Sequence, residues 1–144
     1  MSDCIITRRG SAKRENTIDV TNVWSTGATA PASAERHTSQ LYNGKIYCPE
    51  NYGTAIHIYD IATNTWSTGA TAPASAERYT SQLYNGKIYC PQSGGTAMHI
   101  YDIATNTWST GATAPASAER YTSQLYNGTI YCPQSGGTAM HIYD

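Results

Sequence analysis

The chain contains no phenylalanine, only 13% charged residues and a formal net charge of −1 over its 144 positions. A typical soluble domain carries about 25% charged residues, so the polarity of this surface must come from Thr, Ser, Asn, Gln and Tyr. The lack of a basic excess excludes a global field for nucleic acid. The lack of a long apolar run excludes a membrane-spanning helix of about 20 residues. With Phe absent, the aromatic set is twelve Tyr and three Trp, rings that each carry a polar atom in need of a partner. That profile suits β structure and a binding surface.

Paired chemical motifs are missing as well. There is no Cys-x-x-Cys pair and no Gly-x-x-x-x-Gly-Lys loop, which excludes dithiol redox chemistry and a phosphate-cradling loop. Cys48, Cys90 and Cys132 stand 42 residues apart, at the same place in a repeat. Equivalent positions of separate units do not reach the roughly 4.4–6.8 Å Cα separation of a disulfide. Reduced, packed thiols in a cytoplasmic protein are therefore expected, with Cys4 alone reactive. The order Cys4-Ile5-Ile6 before Arg8-Arg9 is the reverse of a secretory signal and fits that compartment.

What the chain has in abundance is repetition. Trp24, Trp66 and Trp108 mark a period of 42, and Ser67–Asp102 recurs as Ser109–Asp144 with a single change, Lys87 against Thr129. The copy Ser25–Asp60 differs from Ser67–Asp102 at five positions. Such near identity means recent duplication or deliberate construction. A period in the forties fits a propeller blade or a helical repeat, and local patterning selects β. Tyr79–Leu83 and Lys87–Cys90 are rich in β-formers around Asn85-Gly86, a pair that tolerates the positive φ of a type I′ hairpin turn. A third strand is predicted over Thr96–Tyr101 and a fourth from Thr107, so each unit holds four short strands.

Pro73, Arg78, Asn85-Gly86-Lys87-Ile88-Tyr89, Gly94-Gly95, Tyr101-Asp102, Asn106 and Trp108 together resemble the kelch repeat, over Asp19–Asp144. Two features depart from that pattern: Cys90-Pro91-Gln92-Ser93 precedes the diglycine, and Tyr52 replaces one glycine in the first copy. The resemblance implies an all-β, kelch-like β-propeller, with four-stranded blades around a channel, the first strand innermost and the Trp strand outermost. Residues 1–18 read as a tail or the remnant of a decayed blade. Residues 19–144 read as three blades, with a closing outer strand over 19–24 and repeats over 25–66, 67–108 and 109–144.

The last repeat reaches Asp144 without its Ile-Ala-Thr-Asn-Thr-Trp strand, and Asp19-Val20-Thr21-Asn22-Val23-Trp24 is an imperfect copy of that strand. Three blades fall below the usual four to eight. The expectation is a homo-oligomer, most simply a dimer of six blades, closed by the segment carrying Asp19, Val20, Val23 and Trp24.

Candidate chemistry recurs once per blade, whereas acid–base catalysis needs groups in different environments. The chain is therefore read as non-enzymatic, with no cofactor. His57, His99 and His141 occupy matching third-strand positions, held too far apart to share a metal whose ligands sit about 2 Å away. A hydrogen bond from each His to a neighbouring blade is expected, and Trp66 and Trp108 are expected to anchor blade to blade. Glu35-Arg36-His37, Glu77-Arg78-Tyr79 and Glu119-Arg120-Tyr121 open each inner strand. In the kelch resemblance that place lies at one mouth of the channel. Arg36, Arg78 and Arg120, with His37, Tyr79 and Tyr121, are thus candidates for binding an anionic peptide or protein. The alternative is that each Arg pairs with a Glu and only braces the crossover. A binding or scaffold module is the main reading; a purely structural or engineered ring, or a lectin-like sugar binder, is the alternative.

Overall fold

The computed structural model describes residues 24–144. The 1–18 segment and the closing residues Asp19, Val20 and Val23 lie outside the described residues; Trp24 lies within them and is fully exposed. The described chain is all β. Strands β1 (Gln40–Tyr42), β2 (Lys45–Pro49), β3 (Ile56–Asp60) and β4 (Thr65–Thr68) form one antiparallel sheet in chain order. Strands β5 (Gln82–Tyr84), β6 (Lys87–Pro91), β7 (Met98–Asp102) and β8 (Thr107–Thr110) repeat it. A third sheet holds β9 (Gln124–Tyr126), β10 (Thr129–Pro133) and β11 (Met140–Tyr143).

The turns follow their chemistry. Asn43-Gly44, Asn85-Gly86 and Asn127-Gly128 all take positive φ, the type I′ geometry whose twist matches the flanking strands. At the next turn Asp60 Oδ1 accepts from Thr63 N at 3.1 Å, and Asp102 does the same for Thr105. These are Asx turns that close β3 onto β4 and β7 onto β8.

The inner strand is shorter than the expected Tyr79–Leu83, because Thr80 and Ser81 leave the backbone ladder and bond between blades through their side chains. Thr38 Oγ1 meets Ser81 Oγ at 2.7 Å, and Thr80 Oγ1 meets Ser123 Oγ at 2.7 Å. Gln40 and Gln82 donate to the carbonyls of Ser81 and Ser123, both at 2.8 Å.

Register assigns the two faces of each blade. Residues paired across strands share a face, so Tyr47 and Ile56 lie on the trailing face of the first blade, while Ile88, Cys90 and Tyr101 lie on the leading face of the second. These five residues form the buried core cluster, with Ile58, Leu83 and Trp108 packed against it. The core is thus the seam between blades and not the interior of any one sheet.

Candidate functional site

Arg78 sits at the start of the second blade's inner strand and points inward, 0% exposed, and Arg120 is 2% exposed. Arg78 Nη1 donates to the carbonyls of Glu50 (3.1 Å) and Gly53 (2.7 Å) in the β2–β3 loop of the preceding blade. Its Nη2 donates to Ala74 O and to His99 Nδ1. Arg120 repeats this with Gln92 O and Gly95 O, both at 2.8 Å, and with Ala116 O and His141 Nδ1. Burial lowers the pKa of both guanidiniums from the usual value.

Of the three arginines expected to face an anionic ligand, Arg78 and Arg120 are buried and Arg36 is half-buried. The terminal N–H groups of Arg78 and Arg120 are consumed by backbone carbonyls and a histidine, leaving nothing to offer at the mouth. The Glu-pairing alternative does not describe them either, since carbonyl oxygens and an imidazole are the acceptors. The histidine expectation is corrected too: His57, His99 and His141 each bond the Arg of their own blade, not of a neighbour.

The β6–β7 loop is shaped to receive Arg120, as the β2–β3 loop receives Arg78. Gln92 N donates to Ala97 O, Ser93 N donates to Glu77 O and Gly94 takes φ of 68°. The loop carbonyls therefore turn toward the next blade. The inserted residues that depart from the kelch pattern, Cys90-Pro91-Gln92-Ser93, lead into this cup. In the first blade Tyr52 adopts φ of 56° at the glycine position.

With the arginines inward, strand alternation sends their neighbours outward. His37 and Tyr79 meet edge to face at 5.2 Å between centroids, and Tyr79 and Tyr121 at 4.9 Å. Tyr52 Oη lies 2.9 Å from Tyr79 Oη. Glu35 Oε2 accepts from Asn51 Nδ2 at 3.0 Å and lies 3.3 Å from His37 Nε2. These bonds, Asn51 first, hold the Glu35 carboxyl below its usual range. Glu119 Oε2 accepts from Ser93 Oγ at 2.9 Å. A hydrogen bond to Glu119 raises the Tyr121 phenol, and bonds to Tyr79 and then Glu77 raise that of Tyr52. The rim is thus a row of aromatic rings backed by carboxylates. Asn51 and Ser93, which anchor those carboxylates, carry no motif that would reveal them in the sequence.

The outer strand is held by its tryptophan. Trp108 Nε1 donates to Ala70 O at 2.8 Å, its ring lies 5.5 Å from the Arg78 guanidinium carbon, and Asn106 Oδ1 accepts from Ala70 N and from Tyr101 Oη. Trp66 repeats this with Ala28 and Arg36. Gly69, next to Ala70, donates to Ile56 O of the preceding blade, so each Trp anchors two blades through the crossing between them. On the third sheet the matching residues Ala112, Arg120, His141 and Tyr143 line a cavity of about 150 Å³.

Cys48, Cys90 and Cys132 are free and buried. Burial pushes the Cys90 thiol up to about 12 and raises the other two. Among the described residues no cluster of His, Cys, Asp or Glu could hold a metal ion, and no helix is long and apolar enough to cross a membrane.

Successive antiparallel sheets, two of four strands and one of three, stacked face to face with their first strands adjoining, define a β-propeller. No protein-family model and no curated protein matches the chain. Among solved structures, it is similar to the computationally designed Ika4 protein, with TM-score 0.62 and 10% identity, covering 85% of this chain and 74% of that one. The computationally designed Ika8 protein gives TM-score 0.57 and 13% identity over 76% of this chain and 33% of that one. A chain of the mitotic checkpoint complex gives TM-score 0.61 and 15% identity over 99% of this chain and 43% of that one.

Proposed function

We propose that this chain is a non-enzymatic structural module whose kelch-like repeats assemble copies of itself into a closed propeller ring, two chains and six blades. The observation that carries the reading is the cavity beside Arg120. It is lined by the counterparts of the residues that hold Trp66 and Trp108. A strand bearing a Trp would fill it, and the 19–24 segment copies the sequence of such a strand and ends on the exposed Trp24. Its donation to the third sheet of another copy would complete a four-stranded blade and cover an open edge. The near-identical repeats and the likeness to two designed proteins support a symmetric scaffold, natural or engineered, over a dedicated ligand binder. Reduced, buried thiols fit a cytoplasmic setting.

The test is light scattering of the intact chain and of a chain lacking residues 1–24. The intact chain is expected at twice 15.6 kDa, and the truncated one is expected to lose that closed mass. A monomeric intact chain overturns the reading.

A second reading rests on the rim. His37, Tyr79 and Tyr121, with Glu35, Glu77 and Glu119 beside them, would receive a basic or aromatic peptide segment, because rings and carboxylates attract cations. Fluorescence titration with Lys/Arg-rich and acidic peptides checks this: binding of the acidic set alone overturns it.

A further inference from the structure

Two faces of the described structure stand open, and they complement each other. On the trailing face of the third blade Met140 is 53% and Ile142 56% exposed, while their second-blade counterpart Met98 is buried at the seam. On the leading face of the first blade Leu41 is 63% exposed, and Ile46 is only half-buried where Ile88 and Ile130 are fully covered. The polar positions show the same asymmetry. Ser81 and Ser123 are buried and Ser39 is exposed; Thr80 is buried and Thr122 is exposed.

We propose that the leading face of the first blade of one copy docks on the trailing face of the third blade of another, with Arg36 of the incoming copy seated on the carbonyls of Gln134 and Gly137. This deepens the ring reading and rests on it. The contact is one the chain already makes twice. Arg78 sits on Glu50 O and Gly53 O, and Arg120 on Gln92 O and Gly95 O. Alongside, Tyr52 N donates to Ala76 O at 3.0 Å and Gly94 N to Ala118 O at 3.1 Å. One repeat further on, the loop offers Gln134 O, Gly137 O and Gly136 N, and among the described residues no guanidinium meets those carbonyls.

The matching donor stands at the other end. Arg36 bonds Ala32 O and His57 Nδ1 through Nη2, while among the described residues its Nη1 has only a 3.3 Å contact with Ala34 O. A second copy is therefore the occupant of the trailing face. It brings a guanidinium for the two carbonyls, the Ala34 carbonyl for Gly136 N and Ser39 for Thr122, all in the register of the internal seams. A generic apolar partner would cover Met140 and Ile142 but leave the carbonyls unmet. Because the two faces differ, the contact is head to tail, and with three blades per chain two copies close the six-blade ring of that reading.

The experiment uses exposed positions, Leu41→Asp to spoil the leading face and Ile142→Asp to spoil the trailing one. Each variant alone is expected to run at 15.6 kDa. An equimolar mixture should form a species of twice that mass, since one sound face of each kind remains. If a variant alone loses its β circular dichroism, the mixture is expected to restore it. Adding Arg36→Met to the Ile142→Asp chain should weaken the mixed species by roughly tenfold or more, the loss expected for charge-assisted bonds. A variant that still pairs with itself, or a mixture that neither pairs nor recovers, overturns the junction even when the intact chain assembles. An unchanged affinity for Arg36→Met overturns the seat on the carbonyls. A monomeric intact chain instead removes the ring reading beneath it.

Discussion

Nη2 of Arg78 lies 3.2 Å from Nδ1 of His99, and Arg36 and His57 repeat the pair at 2.8 Å. A guanidinium can only donate, so Nδ1 must accept and the ring proton must sit on Nε2. The imidazole is therefore neutral by construction. Burial first, and the adjacent Arg next, lower the His99 and His57 pKa values from 6.5.

A depressed imidazole pKa means that the unfolded chain binds more protons as pH falls. The stabilisation is complete above 6.5 and is lost as pH drops through the lower folded-state values. The thermal midpoint is expected to fall between pH 7 and pH 5, before the carboxylates of Asp60 and Asp102, themselves depressed by Lys45 and Lys87 from 3.8, begin to titrate. His99→Asn keeps an acceptor and removes the proton site, so its midpoint should show a shallower slope over the same range. Scanning calorimetry at stepped pH reads both.

The thiols give a kinetic check. Cys90 is fully buried with its pKa near 12, and Cys48 and Cys132 are raised by burial, which removes the thiolate that reacts. A thiol reagent at pH 8 is expected to label these three only at the rate of unfolding and promptly in denaturant. Mass spectrometry of tryptic fragments distinguishes them from Cys4.

Gly94 carries φ of 68°, and a Cβ there would meet no atom nearer than Glu119 Oε1 at 3.7 Å. Space is open, so Gly94→Ala isolates the backbone cost of a left-handed residue, about 1 kcal/mol. Chemical denaturation should show that loss with an unchanged m-value. Tyr52 already bears the same strain at its own position, so Tyr52→Gly is expected to raise the midpoint unless its bond to Tyr79 offsets the gain.

The blade was legible because its signals are local. Asn85-Gly86 sets the hairpin, and the alternation of Ile88, Tyr89 and Cys90 supplies both sheet faces with bulk. That Glu77-Arg78-Tyr79 stand together ahead of the inner strand was legible too. What the sequence hides is the direction of each side chain. Arg78 turns inward because two carbonyls of a loop 25 and 28 residues away face it, and nothing near Arg78 announces them. Charge suggests a surface role for arginine, whereas five donors in a fork make it the residue that can gather several backbone carbonyls at once. Alternation then turns the half-buried Tyr79 away from Arg78, and the row it joins is aromatic and acidic instead of basic.

Trp108 offers the most direct measure of how the outer strand is held. Its Nε1 bonds Ala70 O at 2.8 Å, its ring lies 5.2 Å from that of Tyr101, and the Arg78 guanidinium carbon sits 5.5 Å from its centroid. Trp108→Phe keeps an aromatic face for Arg78 and Tyr101 but leaves the Ala70 carbonyl without its donor, a loss of about 1 kcal/mol. Trp108→Ala removes the face as well and should cost about 3 kcal/mol, the lower end for a large aromatic because the ring is only half-buried. The difference between the two variants is therefore the contribution of the ring's packing, and urea denaturation resolves it. If Trp108→Phe proves as damaging as Trp108→Ala, the hydrogen bond to the crossing, and not the packing against Arg78, is what fastens the outer strand.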